Sequence, residues 1–224
     1  MKKKLSFISV GCLLISLLVG LYIYDKTQAQ ENGRFRLYIL GDSLSSGYGL
    51  KEEEAFYTRL EQALASEGYN NVQVINGSTP GETAENAVKR LDKIMEENPH
   101  AVILELGIND FSSDIRSAVI EENLDKIITF FKEKDVPVLL VGMAAPPGSV
   151  LGERENFPQV YKRLAKKHKL VLYPYFLKDV LISRFGVFDY KYFQPDGEHP
   201  NAEGVMIMAR NIMPYVKRFF KIME

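Results

Sequence analysis

The sequence predicts an α/β protein, a three-layer α/β/α sandwich around a five-stranded parallel sheet. Short runs rich in Val, Ile and Leu alternate along the chain with longer segments that carry apolar residues at helical spacing. Alternating strands and helices imply parallel strands joined by right-handed crossovers. The length of 224 residues, 46% hydrophobic and 25% charged, fits one sizeable domain.

Five apolar runs are the predicted strands. Each is short and rich in large apolar side chains, as strands buried on both faces are. In chain order they are RLYIL at 36–40, NVQVI at 71–75, AVILEL at 101–106, VPVLLVGM at 136–143 and LVLYPYF at 170–176.

Between these runs, apolar residues recur at helical spacing and predict helices. The first such segment is centred on Leu60 and Leu64, the second runs from Ala87 to Met95, and a third runs from Val119 to Phe131. A last helical segment begins near Ala202 and continues through Met206–Met213 and Tyr215–Phe220. We predict that it closes the domain and that its apolar stripe belongs to the core.

The N-terminal segment differs in composition from the rest of the chain. Lys2, Lys3 and Lys4 precede an uncharged stretch from Leu5 to Tyr24, which matches the ~20 residues that an α-helix needs to cross a bilayer. Positive charge on the N-terminal side predicts that the bulk of the chain lies outside the cytoplasm.

Three interpretations of this segment stay open. An uncleaved membrane anchor is favoured by its length, a cleaved signal peptide ending near Ala29 is the first alternative, and a buried helix is the second. The predicted division is residues 1–29 for the anchor or signal peptide, 30–34 for a linker and 35–224 for the domain.

Charge and cysteine content exclude several classes of protein. The formal net charge of −1 predicts no nucleic-acid partner, because phosphate recognition needs a basic surface. The single cysteine, Cys12, excludes an intramolecular disulfide and a multi-cysteine metal site. The sequence leaves the oligomeric state open, with a monomer favoured.

Polar and glycine-rich loops follow the first three predicted strands. Ser43 follows the first strand, Gly81 follows the second, and Asn109 follows the third. Because ligands bind beyond the carboxyl ends of parallel strands, these loops open onto one edge of the sheet. Local alternatives remain, because Gly81 after Pro80 is typical of a turn and Asn109 before Asp110 is typical of an Asx-turn.

A nucleophilic serine needs a base, and the chain has three histidines. His100 and His168 are predicted at the surface. His199 follows Asp196 by three residues, a spacing at which a carboxylate can orient an imidazole toward Ser43. The alternative is that this pair caps the last helix.

Four blocks then appear in order: GDSLSSGYG around Ser43, NGSTPGET around Gly81, LGIND around Asn109, and PDGEHPNAEG around Asp196 and His199. With them the sequence resembles the GDSL or SGNH hydrolase superfamily, which has a flavodoxin-like fold. The residues of these four blocks are most similar to those of bacterial periplasmic multifunctional esterases with lysophospholipase and acyl-thioesterase activities.

The resemblance implies a role for each matching residue. Ser43 is the expected nucleophile, His199 the general base and acid, and Asp196 its orienting partner. The backbone N–H groups of Ser43 and Gly81 and the side-chain amide of Asn109 are the expected oxyanion hole. No metal or organic cofactor is implied, and the expected substrate is a small or lipid-like ester, with a thioester as an extension.

Two departures from the family pattern affect the expected acyl side of the cleft. Ile108 occupies the position where the family usually has a second glycine. The second block reads STPGET, where the family more often has a valine-serine pair before the glycine. Ile108, Phe111 and Pro146 are the candidate substrate-contact residues.

Other functions are carried as alternatives. The same triad serves a cell-envelope glycan O-deacetylase or acyltransferase. A nucleotide-binding module lacks support because the glycine spacing fits neither G-x-G-x-x-G nor a P-loop. A catalytically idle interaction domain is the last alternative.

Overall fold

The computed structural model describes residues 33–145, 151–181 and 190–223. The predicted anchor or signal peptide at 1–29 lies outside these residues, as do most of the linker and the candidate contact residue Pro146. Within the described ranges, no helix combines the length and the apolar character needed to cross a membrane. From Arg36 onward the described residues form one compact unit.

One five-stranded sheet organises this unit, in the spatial order β2-β1-β3-β4-β5. Parallel pairing sets Ile39 beside Ile103, and Ile103 beside Leu139. The fold class predicted from the sequence is confirmed. The strands are β1 (Phe35–Leu40), β2 (Val72–Asn76), β3 (Ala101–Leu104), β4 (Val138–Val141) and β5 (Val171–Tyr173).

Helices follow the strands in chain order and cover the sheet. They are α1 (Ser43–Ser46), α2 (Phe56–Ser66), α3 (Ala84–Val88), α4 (Leu91–Glu96), α5 (Ile108–Ser112), α6 (Ser117–Glu133), α7 (Leu151–His168), α8 (Lys178–Leu181) and α9 (Ala202–Lys221). Two single-turn 3₁₀ helices lie at Glu52–Glu54 and Tyr190–Tyr192.

Two groups of helices enclose the sheet. Helix α9 packs against α2 and β5, while α6 packs against α3 and α7. The inner strands β3 and β4 are buried along their whole length. On α9 the stripe of Met208, Ile212, Val216 and Phe219 is buried, so the apolar face of this helix belongs to the core.

The segment predicted as one helix from Ala87 to Met95 is two helices, α3 and α4. Arg90 separates them and has non-helical backbone angles, with φ −117° and ψ 12°. Its side chain is engaged in contacts beyond the helix, with Glu82 and with the backbone carbonyl of Gly77. These tertiary contacts override the helical spacing of the local sequence.

Helix α7 lies outside the helical segments that the sequence pattern predicts. The segment contains Pro158, a residue that normally ends or kinks a helix. Its buried residues Phe157, Val160, Tyr161 and Leu164 nevertheless form an apolar stripe.

Candidate active site

The turn after β1 presents Ser43 at the first residue of α1. Asp42 caps this helix, and its Oδ1 accepts a hydrogen bond from the backbone N–H of Leu44 at 2.9 Å. Gly41 is required by a close approach, because a Cβ there would lie 2.7 Å from Glu105 Oε2. The turn therefore fixes Ser43 at the carboxyl edge of the sheet.

The loop before α9 carries His199 to the same place. Its Nε2 lies 2.9 Å from Ser43 Oγ, and its Nδ1 lies 2.8 Å from Asp196 Oδ2. The structure thus brings together three side chains that are up to 156 residues apart in sequence.

The alternative that Asp196 and His199 serve as the cap of α9 is wrong. Asn201 is the N-cap residue, and its side-chain oxygen accepts a hydrogen bond from the backbone N–H of Gly204 at 3.0 Å. The Asp196 side chain therefore contacts His199, and His199 in turn contacts Ser43, outside the helix cap.

Asp196 is partly exposed and is held ionised by hydrogen bonds. Its Oδ1 accepts from the backbone N–H groups of His199 at 3.0 Å and Glu198 at 2.9 Å. These bonds, with the contact to the His199 ring, lower the pKa of Asp196 to about 2. At neutral pH a carboxylate therefore faces the imidazole.

The loops that carry Gly81 and Asn109 meet next to the Ser43 turn. The side-chain nitrogen of Asn109 donates to Asp42 Oδ2 and to the backbone carbonyl of Glu82, both at 3.0 Å. These two bonds connect α5 with the loops that follow β1 and β2. A local Asx-turn at Asn109 would not account for such long-range contacts. Gly81 has φ +76° and is exposed, and among the described residues other than its chain neighbours no atom lies within 4 Å of a Cβ built on it.

Glu82, which follows Gly81, anchors this second loop. It forms an ion pair with Arg90, whose Nε donates to Glu82 Oε1 at 2.6 Å. Arg90 also donates through Nη2 to the backbone carbonyl of Gly77 at 2.7 Å. Because the Glu82 carbonyl accepts from Asn109, the ion pair helps to position two of the expected oxyanion-hole loops.

Beneath Ser43 lie two fully buried carboxyl groups, Asp42 and Glu105, here called the buried acid pair. Glu105 Oε2 accepts from Ser45 Oγ at 2.6 Å and from the backbone N–H of Asp42 at 3.3 Å. Glu105 Oε1 has no hydrogen-bond partner within the described part of the chain. The sequence pattern did not predict this pair, although Glu105 is an acidic residue inside the apolar run AVILEL, which is a signal of a buried carboxyl group.

Burial controls the ionisation of the buried acid pair. Loss of hydration raises the pKa of Asp42 to about 7 and raises the pKa of Glu105 well above its usual value. The negative charges of Glu82 and Asp110 add to the effect on Asp42. Burial therefore favours the protonated, neutral form of Glu105.

Two of the candidate substrate-contact residues lie on α5 with Asn109. Ile108 is its first residue and is partly buried. Phe111 is also partly buried, and its ring centroid lies 4.5 Å from that of Phe157. The third candidate, Pro146, lies outside the described residues, so its role stays a prediction.

The other two histidines lie away from Ser43. His100 is exposed, as predicted, and its Nδ1 accepts from the backbone N–H of Arg36 at 2.9 Å. His168, also predicted at the surface, is partly buried, with 10% of its side chain exposed. Its Nε2 lies 2.6 Å from Asp125 Oδ1, a pairing created where α6 packs on α7.

Over residues 33–145, 151–181 and 190–223, no group of three or more His, Cys, Asp or Glu side chains could hold a metal ion. The side chains linked at the sheet edge are serine, histidine and aspartate. A three-layer α/β/α fold with this linked set is typical of serine hydrolases.

The chain belongs to the GDSL-like lipase/acylhydrolase family, whose model matches residues 39–207. It is therefore a hydrolase of the esterase type.

Individual relatives agree with this class. An arylesterase from Vibrio mimicus is 33% identical over 191 residues, which cover 85% of this chain and 90% of the relative. The thioesterase 1/protease 1/lysophospholipase L1 of Escherichia coli strain K12 is 29% identical over 185 residues, which cover 80% and 84%. The crystal structure of TesA is 31% identical, with a TM-score of 0.75 over 82% of this chain and 99% of that chain.

Proposed function

We propose that the protein cleaves carboxylic esters through a Ser43, His199 and Asp196 triad with an acyl-enzyme intermediate. The observation that carries the proposal is the continuous contact from Ser43 Oγ through the His199 ring to Asp196, at 2.9 and 2.8 Å. In serine hydrolases the aspartate holds the imidazole in the tautomer that leaves Nε2 free to accept the serine proton. The lowered pKa of Asp196 supports this role, because the carboxylate stays ionised across the working range of pH.

In the acylation step, Ser43 Oγ attacks the ester carbonyl carbon while His199 Nε2 takes the hydroxyl proton. The bond to the leaving oxygen then breaks, and the imidazolium returns the proton to that oxygen. Water then attacks the carbonyl carbon of the acyl-enzyme while His199 takes its proton. The bond to Ser43 Oγ breaks, Oγ regains a proton from His199, and the carboxylic acid is released.

The oxyanion hole of the proposal consists of the backbone N–H groups of Ser43 and Gly81 and the amide of Asn109. The bonds from Asn109 to Asp42 and to Glu82 support it, because they fix the orientation of the amide before substrate binds. The open space around Gly81 leaves room for a substrate carbonyl.

We extend the proposal to the acyl side of the cleft. Ile108 and Phe111 share a short helix with Asn109, so an acyl chain whose carbonyl faces Asn109 lies near both. These side chains favour small or lipid-like acyl groups. Thioesters belong to the same proposal, as the name of the relative from Escherichia coli supports.

The proposal also includes a location outside the cytoplasm. The lysines at positions 2–4 and the apolar stretch from Leu5 to Tyr24 support it, either as a membrane anchor or as a signal peptide cleaved near Ala29.

Hydrolysis of p-nitrophenyl esters from acetyl to palmitoyl tests the chemistry in the purified full-length protein. We expect Ser43→Ala and His199→Ala to lose turnover by ~10³-fold or more, as removal of triad members does elsewhere. His100→Ala, a substitution at an exposed histidine, is the control and is expected to keep full activity. Equal activity in the wild type and both triad variants contradicts the proposal.

A further inference from the structure

An exposed aromatic side chain lies against the His199 ring. Tyr48 is 51% exposed, and its ring centroid lies 4.7 Å from that of His199 at an interplanar angle of 43°. Core packing does not account for a tyrosine with this exposure. Its position beside the imidazole suggests a role in contact with substrate.

Backbone contacts fix the loop of Tyr48 independently of its side chain. Gln194 Nε2 donates to the carbonyl of Tyr48 at 2.8 Å and to the carbonyl of Pro200 at 3.1 Å. Gly49 has φ +73°, and a Cβ there would lie 2.2 Å from Gln194 Oε1. The Tyr48 loop therefore packs on the segment that carries His199. Because these contacts use the backbone of Tyr48, its side chain can be replaced without loss of them.

The proposed reaction places the leaving group on the Tyr48 side. The leaving oxygen receives its proton from His199 Nε2, so it must lie next to that atom. The developing oxyanion lies instead toward the loops of Gly81 and Asn109. An alcohol that takes its proton from His199 as it leaves therefore lies on the side of the imidazole where the Tyr48 ring is exposed.

We infer that Tyr48 is a specificity-determining residue that contacts the alcohol part of the ester and favours aromatic leaving groups such as phenols. The inference rests on the proposed triad and names the substrate class that this triad prefers. Aromatic pairs in offset or edge-to-face contact favour binding by roughly 3- to 10-fold beyond the effect of buried area. During acylation the Ser43 Oγ–C bond forms, the C–O bond to the phenol breaks, and the proton of Ser43 reaches the phenol oxygen through His199.

The contact ends when the phenol departs. Tyr48 therefore acts on acylation, which kcat/KM reports, and has no partner during hydrolysis of the acyl-enzyme. If Tyr48 recognises the leaving group, its substitution slows acylation only. If Tyr48 orients His199, its substitution slows both acylation and hydrolysis of the acyl-enzyme.

The test compares phenyl acetate with ethyl acetate, which form the same acetyl-enzyme and differ only in the leaving group. Acid release is followed in a pH-stat for the full-length wild type, Tyr48→Ala, Tyr48→Leu and Tyr48→Phe. Each ester is compared with itself in two proteins, so the intrinsic reactivity of the leaving group cancels.

We expect Tyr48→Ala and Tyr48→Leu to lose roughly 3- to 10-fold in kcat/KM for phenyl acetate and less than twofold for ethyl acetate. Tyr48→Phe keeps the ring and is expected to restore the wild-type ratio of the two esters. Met206→Ala removes a side chain of similar exposure, 55%, on α9 and is expected to leave both rates unchanged.

An equal loss on both esters overturns the inference, because it assigns Tyr48 to orientation of His199. Unchanged rates on both esters overturn it as well. Ser43→Ala separates the two proposals: hydrolysis that survives in this variant refutes the triad, whereas its loss beside an unselective Tyr48→Ala refutes only the role of Tyr48.

Discussion

Carboxyl groups lie on two sides of Ser43, and their surroundings are opposite. Asp196 is partly exposed and accepts three hydrogen bonds, so its pKa falls to about 2. The buried acid pair, Asp42 and Glu105, has lost its water, so both pKa values rise. Position therefore decides whether a carboxyl group in this protein is a permanent charge or a neutral donor and acceptor.

The opposite pKa shifts of Asp196 and of the buried acid pair suit these carboxyl groups to different roles. In the proposed mechanism, a permanent negative charge beside His199 stabilises the imidazolium that forms during the reaction. Neutral or partly protonated groups beneath Ser43 hold the backbone of the turn without placing full charge near the developing oxyanion. Substitutions on the exposed side should therefore change activity, and substitutions on the buried side should change stability.

Asp196→Asn should give the largest effect on activity. The amide Nδ2 would face His199 Nδ1 and donate to it, which leaves the proton on Nε2 and prevents acceptance of the Ser43 proton. We expect kcat, measured with p-nitrophenyl acetate, to fall by ~10³- to 10⁴-fold. A loss below tenfold would show that the exposed carboxylate does not set the tautomer.

Asn109→Ala tests the residue that connects the two regions. It removes an expected oxyanion donor and also the hydrogen bond to Asp42, so we expect turnover to fall by ~10²- to 10³-fold. Asn86→Ala, at an exposed position of α3, is the control. The expectation fails if both variants keep the kcat of the wild type.

The dependence of stability on pH sharpens the comparison. Asp and Glu have unfolded pKa values near ~4, and the native values of Asp42 and Glu105 are higher. Above pH ~4 the native state binds more protons than the unfolded state, so the free energy of unfolding falls as pH rises through about 7. Asp196 acts in the opposite sense: its contribution is present above pH ~4 and is lost as pH falls through about 2.

Urea unfolding between pH 4 and 8 measures this slope. The groups that influence the pair are Glu82 and Asp110, which repel its charge, while Tyr161 has its own pKa raised by Glu105 and Asp42. In Asp42→Asn the fall of stability with pH should become shallower. A slope equal to that of the wild type would mean that Asp42 is ionised throughout the range.

Glu105→Gln should give the smallest effect. A neutral Glu105 resembles glutamine in shape, and the side-chain oxygen can still accept from Ser45 and from the backbone of Asp42. We expect the free energy of unfolding at pH 5 to change by less than ~1 kcal/mol, whereas Glu105→Ala should lose about 1–3 kcal/mol because two donors lose their acceptor. Equal losses in the two variants would indicate an ionised Glu105.

The strands and the order of the polar loops could be predicted because both depend on local sequence. Apolar runs identify buried strands, and parallel topology brings the loops of Ser43 and Asn109 to one edge. The His168 contact with Asp125 and the buried acid pair depend on partners 43 and 63 residues away in sequence. The Arg90 break depends on contacts with Glu82 and Gly77 in the preceding loop. Local patterns carry no information on such pairings, and the N-terminal segment stays a prediction.

The long separation between Ser43 and His199 has a consequence for synthesis of the protein. The segment with His199 is closed by a bridge between Phe193 and Pro200 and leads directly into α9, the last helix. In a growing chain, Ser43 is therefore synthesised 156 residues before the histidine that the proposal names as its base. The proposed mechanism therefore expects ester cleavage only from chains that include His199 and the helix that follows it.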